Sequence, residues 1–182
     1  PYPAEQNQAH GYKLVAVGNT FVFPMAGYSD KIKTVSELKK GDTIAIPNDP
    51  TNLGRALLLL QKEKLITVKQ DKGLLPTSID ITANPLNLNI MELEGAQLPH
   101  VLKDPKVTVA IISTTYLQQT GLSPVQDSVF IEDKESPYVN IIVTREDNKD
   151  AANVRDFVKS YQSPEVAAAA QKIFNGGAVQ GW

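Results

Sequence analysis

Cysteine is absent from the 182 residues, which excludes a disulfide framework, a thiolate metal site and a cysteine nucleophile. Histidine is scarce: His10 and His100 are the only two, and neither stands in a metal-ligand spacing such as H-E-x-x-H. Neither sign of charge dominates. Eighteen Lys+Arg face twenty Asp+Glu, a formal net charge of −2, whereas a general nucleic-acid binder shows a strong basic excess or stripe. Long apolar runs are missing as well. The longest, such as residues 56–60 and 166–170, fall far short of the roughly 20 residues of a spanning helix. Pro1-Tyr2-Pro3-Ala4-Glu5-Gln6 has neither the basic nor the apolar region of a signal peptide. Nucleotide and hydrolase signatures are also lacking: there is no P-loop, no G-x-G-x-x-G and no G-x-S-x-G. Gly176-Gly177-Ala178-Val179-Gln180-Gly181 reads as a C-terminal coil. Glu92 and Glu94 share a strand face by period two, but such pairs are common on solvated faces, so no acid/base dyad is inferred. No enzyme constellation remains, and no cofactor is expected.

What is present is a core: 42% of residues are apolar, ample for one domain or two small lobes. Residues 4–10 read as the tail of a helix, and 14–17 and 20–24 as strands broken by Gly18-Asn19. Thr34 and Glu37 have capping-box spacing for a short helix over 34–40. A buried strand follows at 43–46. From there Asn48-Asp49-Pro50-Thr51 opens a helix to about Lys64, with Leu53, Leu57, Leu60 and Leu65 as its apolar face. Residues 66–87 are irregular, 88–93 a strand, and 97–103 a short helix. Residues 107–112, apolar on both faces, predict a central parallel strand with helices on both sides. Strands are expected at 128–131 and 138–144. The helix over 151–161 presents Val154, Phe157, Val158 and Tyr161 at one face. Ser163-Pro164 starts the last helix, with Val166, Ala170, Ile173 and Phe174 inward, and Asn175-Gly176-Gly177 ends it. The alternation places the chain in the α/β class.

In open parallel sheets ligands collect at the carboxyl ends of strands. Two such ends carry unusual polar sequence. In the first, Pro47-Asn48-Asp49-Pro50-Thr51-Asn52-Leu53-Gly54-Arg55, a capped helix start favours anions, and Arg55 lies one turn in with a planar fork suited to a carboxylate. Gly54 costs a helix roughly 1 kcal/mol against Ala, so a ligand or neighbouring backbone must approach closely there. The competing reading makes Arg55 a solvated helix residue and Gly54 a packing contact. In the second, Ser113-Thr114-Thr115 follows the buried strand, and its hydroxyls read first as helix caps. Asn140 interrupts the apolar stretch 138–143. A buried amide there either satisfies neighbouring backbone or meets a ligand's amino or carboxylate group.

Four stretches resemble a known family, the NlpA/MetQ lipoproteins, substrate-binding components of bacterial methionine ABC importers. They are Gly11-Tyr12-Lys13-Leu14-Val15-Ala16-Val17-Gly18-Asn19-Thr20, the Pro47-to-Arg55 block above, Glu132-Asp133-Lys134-Glu135-Ser136-Pro137-Tyr138-Val139-Asn140, and Phe174-Asn175-Gly176-Gly177-Ala178-Val179-Gln180-Gly181-Trp182. Gly95-Ala96-Gln97-Leu98-Pro99 and Ile111-Ile112-Ser113-Thr114-Thr115-Tyr116 look most like the NlpA branch.

The resemblance implies a type II periplasmic-binding-protein-like fold: two α/β lobes joined by a hinge, with an amino acid in the cleft. The second lobe would span 31–120. The first, from 1–30 and 121–182, would be incomplete, because the family's opening strand–helix–strand, which encloses the methionine side chain, precedes the part seen here. Carried over by residue, Arg55 would clamp the methionine α-carboxylate, Asn140 would contact its polar backbone and Asn52 would line the cleft. Ser113 stands where the family's methionine binders typically have Asn. The implied partners are a methionine-like small molecule and an ABC permease with its ATPase, with no nucleic acid. The implied place is the periplasm, held to the membrane only by a lipid anchor that is absent from this chain. The alternative is an envelope lipoprotein of the same fold whose cleft has drifted from transport.

Overall fold

The computed structural model describes residues 2–133 and 135–182, so Pro1 and Lys134 of the stretches above lie outside it. In chain order the elements are α1 (Tyr2–His10), β1 (Leu14–Asn19), β2 (Phe21–Val22), β3 (Met25–Tyr28), β4 (Thr43–Pro47), α2 (Pro50–Lys62), β5 (Thr67–Val68), β6 (Ile81–Ala83), β7 (Asn89–Leu93), β8 (Val109–Ser113), α3 (Thr114–Leu117), β9 (Phe130–Ile131), β10 (Ile141–Arg145), α4 (Ala152–Tyr161), α5 (Pro164–Ile173) and β11 (Val179–Gln180). Short 3-10 turns join them, the longest over Gly95–Lys103.

The chain forms two compact units, Met25–Glu132 and Pro1–Pro24 with Asp133–Trp182, and passes between them at 24/25 and at 132/133. The sequence reading placed these passages near 30/31 and 120/121. They lie further out because β3 and β9 both pair into the larger unit's sheet.

That larger unit is built on a five-stranded sheet of order β7-β4-β8-β3-β9. Alternation explains its two layers. Ile44, Ile46, Val109 and Ile111 face one cluster, which α2 covers with Leu53, Leu57 and Leu60. Ala45, Ala110 and Ile112 face the other, with Leu98, Leu102 and Leu117 beneath them. Strand β8 is therefore central and covered on both faces. It is parallel to β4 but antiparallel to β3, so the sheet is mixed rather than wholly parallel. Strand β3 was not anticipated: Met25-Ala26-Gly27-Tyr28 lacks the β-branched residues that mark a strand. Residues 66–87, read as irregular, hold the small β5–β6 ladder.

The other unit contains the antiparallel pairs β1–β10 and β11–β2. The segment 176–181 is thus not all coil. Its core gathers Phe21, Ala170 and Ala178 with Phe23, Tyr161, Val166, Phe174 and Trp182, and the Phe21 and Trp182 rings meet edge-on at 5.0 Å. Ile173 falls off this stripe and is exposed, because α5 turns Val166, Ala170 and Phe174 inward at four-residue spacing. Helix α4 is amphipathic as read, yet Phe157 is 56% exposed and none of its residues is fully buried.

Candidate functional site

Helix α2 begins where strand β4 ends. Asp49 caps it, accepting the Asn52 backbone N–H at 3.0 Å, and Pro50 occupies its first turn. Gly54 faces the 74–76 loop: a β-carbon there would stand 2.5 Å from the Leu74 carbonyl oxygen. Close approach of a neighbouring backbone is therefore what the missing side chain permits.

Arg55 follows immediately. It is 8% exposed, so it is no solvated helix residue. Its Nε–H donates to Glu132 Oε1 at 2.7 Å and its Nη2 to Glu132 Oε2 at 2.5 Å, a two-pronged, charge-assisted grip. Glu132 Oε2 also accepts the Met25 backbone N–H at 2.9 Å, and the Glu132 N–H donates to the Met25 carbonyl at 3.0 Å. Met25 in turn pairs with Ser113 across β3 and β8. Two turns along α2 from Arg55, Lys62 Nζ donates to the Ile131 carbonyl at 3.2 Å.

Ser113 is the last residue of β8. The parallel register of Ala45 with Ala110 brings the ends of β4 and β8 to the same edge of the sheet. Arg55, Glu132, Met25 and Ser113 are thus linked neighbour to neighbour along the carboxyl edge of two adjacent parallel strands. Ser113 does not cap α3 with its side chain; its hydroxyl pairs with that of Thr115 at 3.1 Å. The amide of Asn52 donates to Asp49 Oδ2 at 3.0 Å, which ties it to the cap of its own helix.

Asn140 is placed differently from the sequence reading. Strand β10 begins one residue later, at Ile141, so Asn140 is exposed rather than an amide buried in an apolar strand. Its backbone N–H donates to the Phe21 carbonyl and its carbonyl accepts from Thr20. It lies in the other unit from Arg55.

Glu132 was missed. A signal existed: an arginine that is buried needs a carboxylate, and Glu132 is the acid that directly follows the apolar stretch ending in β9. Among the described residues, no group of three or more His, Asp or Glu side chains is placed to hold a metal ion. No described helix is long and apolar enough to cross a membrane. Elsewhere in the larger unit, Tyr28, Asp127 and their neighbours line a cavity of about 340 Å³. The buried Tyr28 hydroxyl has no hydrogen-bond partner among the described residues. Burial, and then the negative charge of Asp127, push its phenol pKa up.

Two α/β units joined by a double passage of the chain are the architecture of the periplasmic substrate-binding proteins, and solved members of that class match this chain over its whole length with TM-scores of 0.91 and 0.92. Within that class the chain belongs to the NlpA lipoprotein family, whose profile matches residues 1–182. Lipoprotein 28 of Escherichia coli (strain K12) is 79% identical over the whole of this chain and 67% of its own length. The D-methionine-binding lipoprotein MetQ of the same organism is 63% identical over the same shares. A nutrient-binding protein from Burkholderia cenocepacia, solved bound to methionine, is 42% identical with a TM-score of 0.92, covering 100% of this chain and 76% of that one. The chain thus spans about two thirds of the length of these two lipoproteins.

Proposed function

We propose that this protein binds methionine or a closely related amino acid and delivers it to an ABC permease, without catalysing any reaction on it. The observation that carries the reading is Arg55: a permanently charged guanidinium, buried at the carboxyl edge of β4 and β8 and held in a fixed plane, in a chain 42% identical to a protein solved with methionine bound. A guanidinium in that position is suited to an α-carboxylate. Ser113, at the same edge, offers the ligand a hydroxyl. Asn52 lies on the same helix start, and Asn140 in the other unit keeps the role the family resemblance gives it, contact with the ligand's polar backbone. The working place is the periplasm, at the membrane, as membership of a lipoprotein family implies.

Thermal melting with L-methionine, D-methionine and L-alanine tests this. Ligand at a thousandfold above its Kd adds about 4 kcal/mol, so the correct amino acid raises Tm by on the order of 10 °C. Either methionine enantiomer should do so and alanine should not.

A second reading is favoured by two features of the chain. Identity is greater to Lipoprotein 28, whose name states no ligand, than to MetQ, and Ser113 departs from the asparagine of the family's methionine binders. On that reading the protein is an envelope lipoprotein without a primary transport role, and no methionine enantiomer shifts the melt.

A further inference from the structure

We infer that Glu132 is the positioning residue for the ligand's carboxylate, acting through Arg55; this rests on the reading of Arg55 given above.

Glu132 backbone and side chain both engage Met25, at 3.0 and 2.9 Å, so the carboxylate is tied to β3 independently of Arg55. Its two oxygens also take the Nε and Nη2 donors of Arg55. A guanidinium has five N–H donors in one plane. Holding two of them by a rigid carboxylate sets the plane of all five, which a single contact cannot do.

Stability alone does not explain such a pair. A buried ion pair is commonly no more stabilising than apolar residues of the same volume, and Met25, to which Glu132 is bonded, belongs to the unit's hydrophobic core. Its position does have an explanation. Met25 and Glu132 are the first and last residues of the larger unit, and Met25 is the register partner of Ser113. One carboxylate therefore fixes the guanidinium relative to both points where the chain enters and leaves the unit, and relative to the serine at the same edge. A receptor so arranged meets its ligand with the donor plane already set, which removes an ordering cost from binding.

The test is a double-mutant cycle read by calorimetric titration of L-methionine into the wild type, Glu132→Gln, Arg55→Lys and the double variant. Lysine makes a point contact and has no plane to orient. Glu132→Gln should weaken binding by at least about tenfold with Arg55 present, and by less than about threefold with lysine at 55. Equal losses in both backgrounds would overturn the positioning role, as would an unchanged affinity in Glu132→Gln while Arg55→Ala loses binding. If Arg55→Ala binds as tightly as wild type, it is the carboxylate reading itself that falls. A measurement on the unmodified protein covers the case of a variant that fails to fold. The Arg55 Nε–H nitrogen resonance should be sharp and slowly exchanging both without and with L-methionine. A signal that sharpens only on adding the amino acid overturns the inference.

Discussion

The Leu74 carbonyl oxygen occupies the space that a side chain at Gly54 would need: the two would be separated by 2.5 Å. Helix α2 is thereby pressed against the 74–76 loop one residue before Arg55, and the Asp49 cap fixes the same helix at its start. The start of the helix that carries Arg55 is thus set by its side-chain cap and by the loop backbone it packs against.

Gly54→Ala gains helix propensity of about 1 kcal/mol but drives a methyl group into backbone that cannot rotate away. A net loss of about 1–3 kcal/mol is expected. Urea unfolding of the variant checks it, and an unchanged midpoint would mean that the loop yields freely.

Tyr28→Phe removes a buried hydroxyl that has no partner among the described residues. Leaving such a group unpaired costs on the order of 1–3 kcal/mol, so the variant should be more stable by about 1 kcal/mol. The phenol pKa is raised in the folded state, so its neutral form is favoured there. Wild type should therefore lose stability as pH rises past about 10, and Tyr28→Phe should lose less. Melting curves of the two proteins between neutral and alkaline pH report both effects.

Asp80 titrates in the opposite sense. Its carboxylate accepts the Thr77 backbone N–H and hydroxyl, both at 2.9 Å, with Lys72 and Lys69 nearby, and these hold its pKa below the ordinary value. A depressed folded pKa gives stability that is present above the unfolded value near 4 and lost as pH falls through the folded one. Asp80→Asn should therefore be less stable than wild type at neutral pH, with the gap closing in acid. A gap that is constant with pH would show that the hydrogen bonds, not the charge, matter.

Ser113→Asn should strengthen L-methionine binding, because an amide reaches further than a hydroxyl from the edge that Arg55 shares. One added hydrogen bond corresponds to about 1 kcal/mol, several-fold in Kd. Weaker binding in the variant would mean that the serine suits a different ligand.

Much of this arrangement is legible in the sequence where a residue's own chemistry decides. Asp49-Pro50 marks the start of α2, leucines at three- and four-residue spacing mark its buried face, and the unbroken apolar stretch ending at Ile112 marks a strand covered on both sides. Arg55 stood out for the same reason. What escaped depends on distant partners. Strand β3 is made possible by Gly27, over which the Phe130 ring packs so closely that a β-carbon would stand 2.4 Å from its Cζ. No local pattern announces that. Glu132 is one acid among twenty until the fold brings it to Arg55. Asn140 was placed in a strand because its apolar neighbours continue on both sides, whereas its backbone bonds go to Thr20 and Phe21 and the strand starts beyond it. Helix α4 shows the converse: the helix forms where its periodicity places it, but Phe157 of the apolar stripe is exposed and no residue of the helix is fully buried.

Calorimetric titration of L-methionine into wild type and Arg55→Ala, each confirmed folded by its melt, bears most directly on the central claim. Arg55→Ala should lose about 2–4 kcal/mol of binding free energy, roughly 30-fold to 1,000-fold in Kd. A Kd within a factor of about two of wild type would contradict the assignment of this guanidinium as the carboxylate receptor.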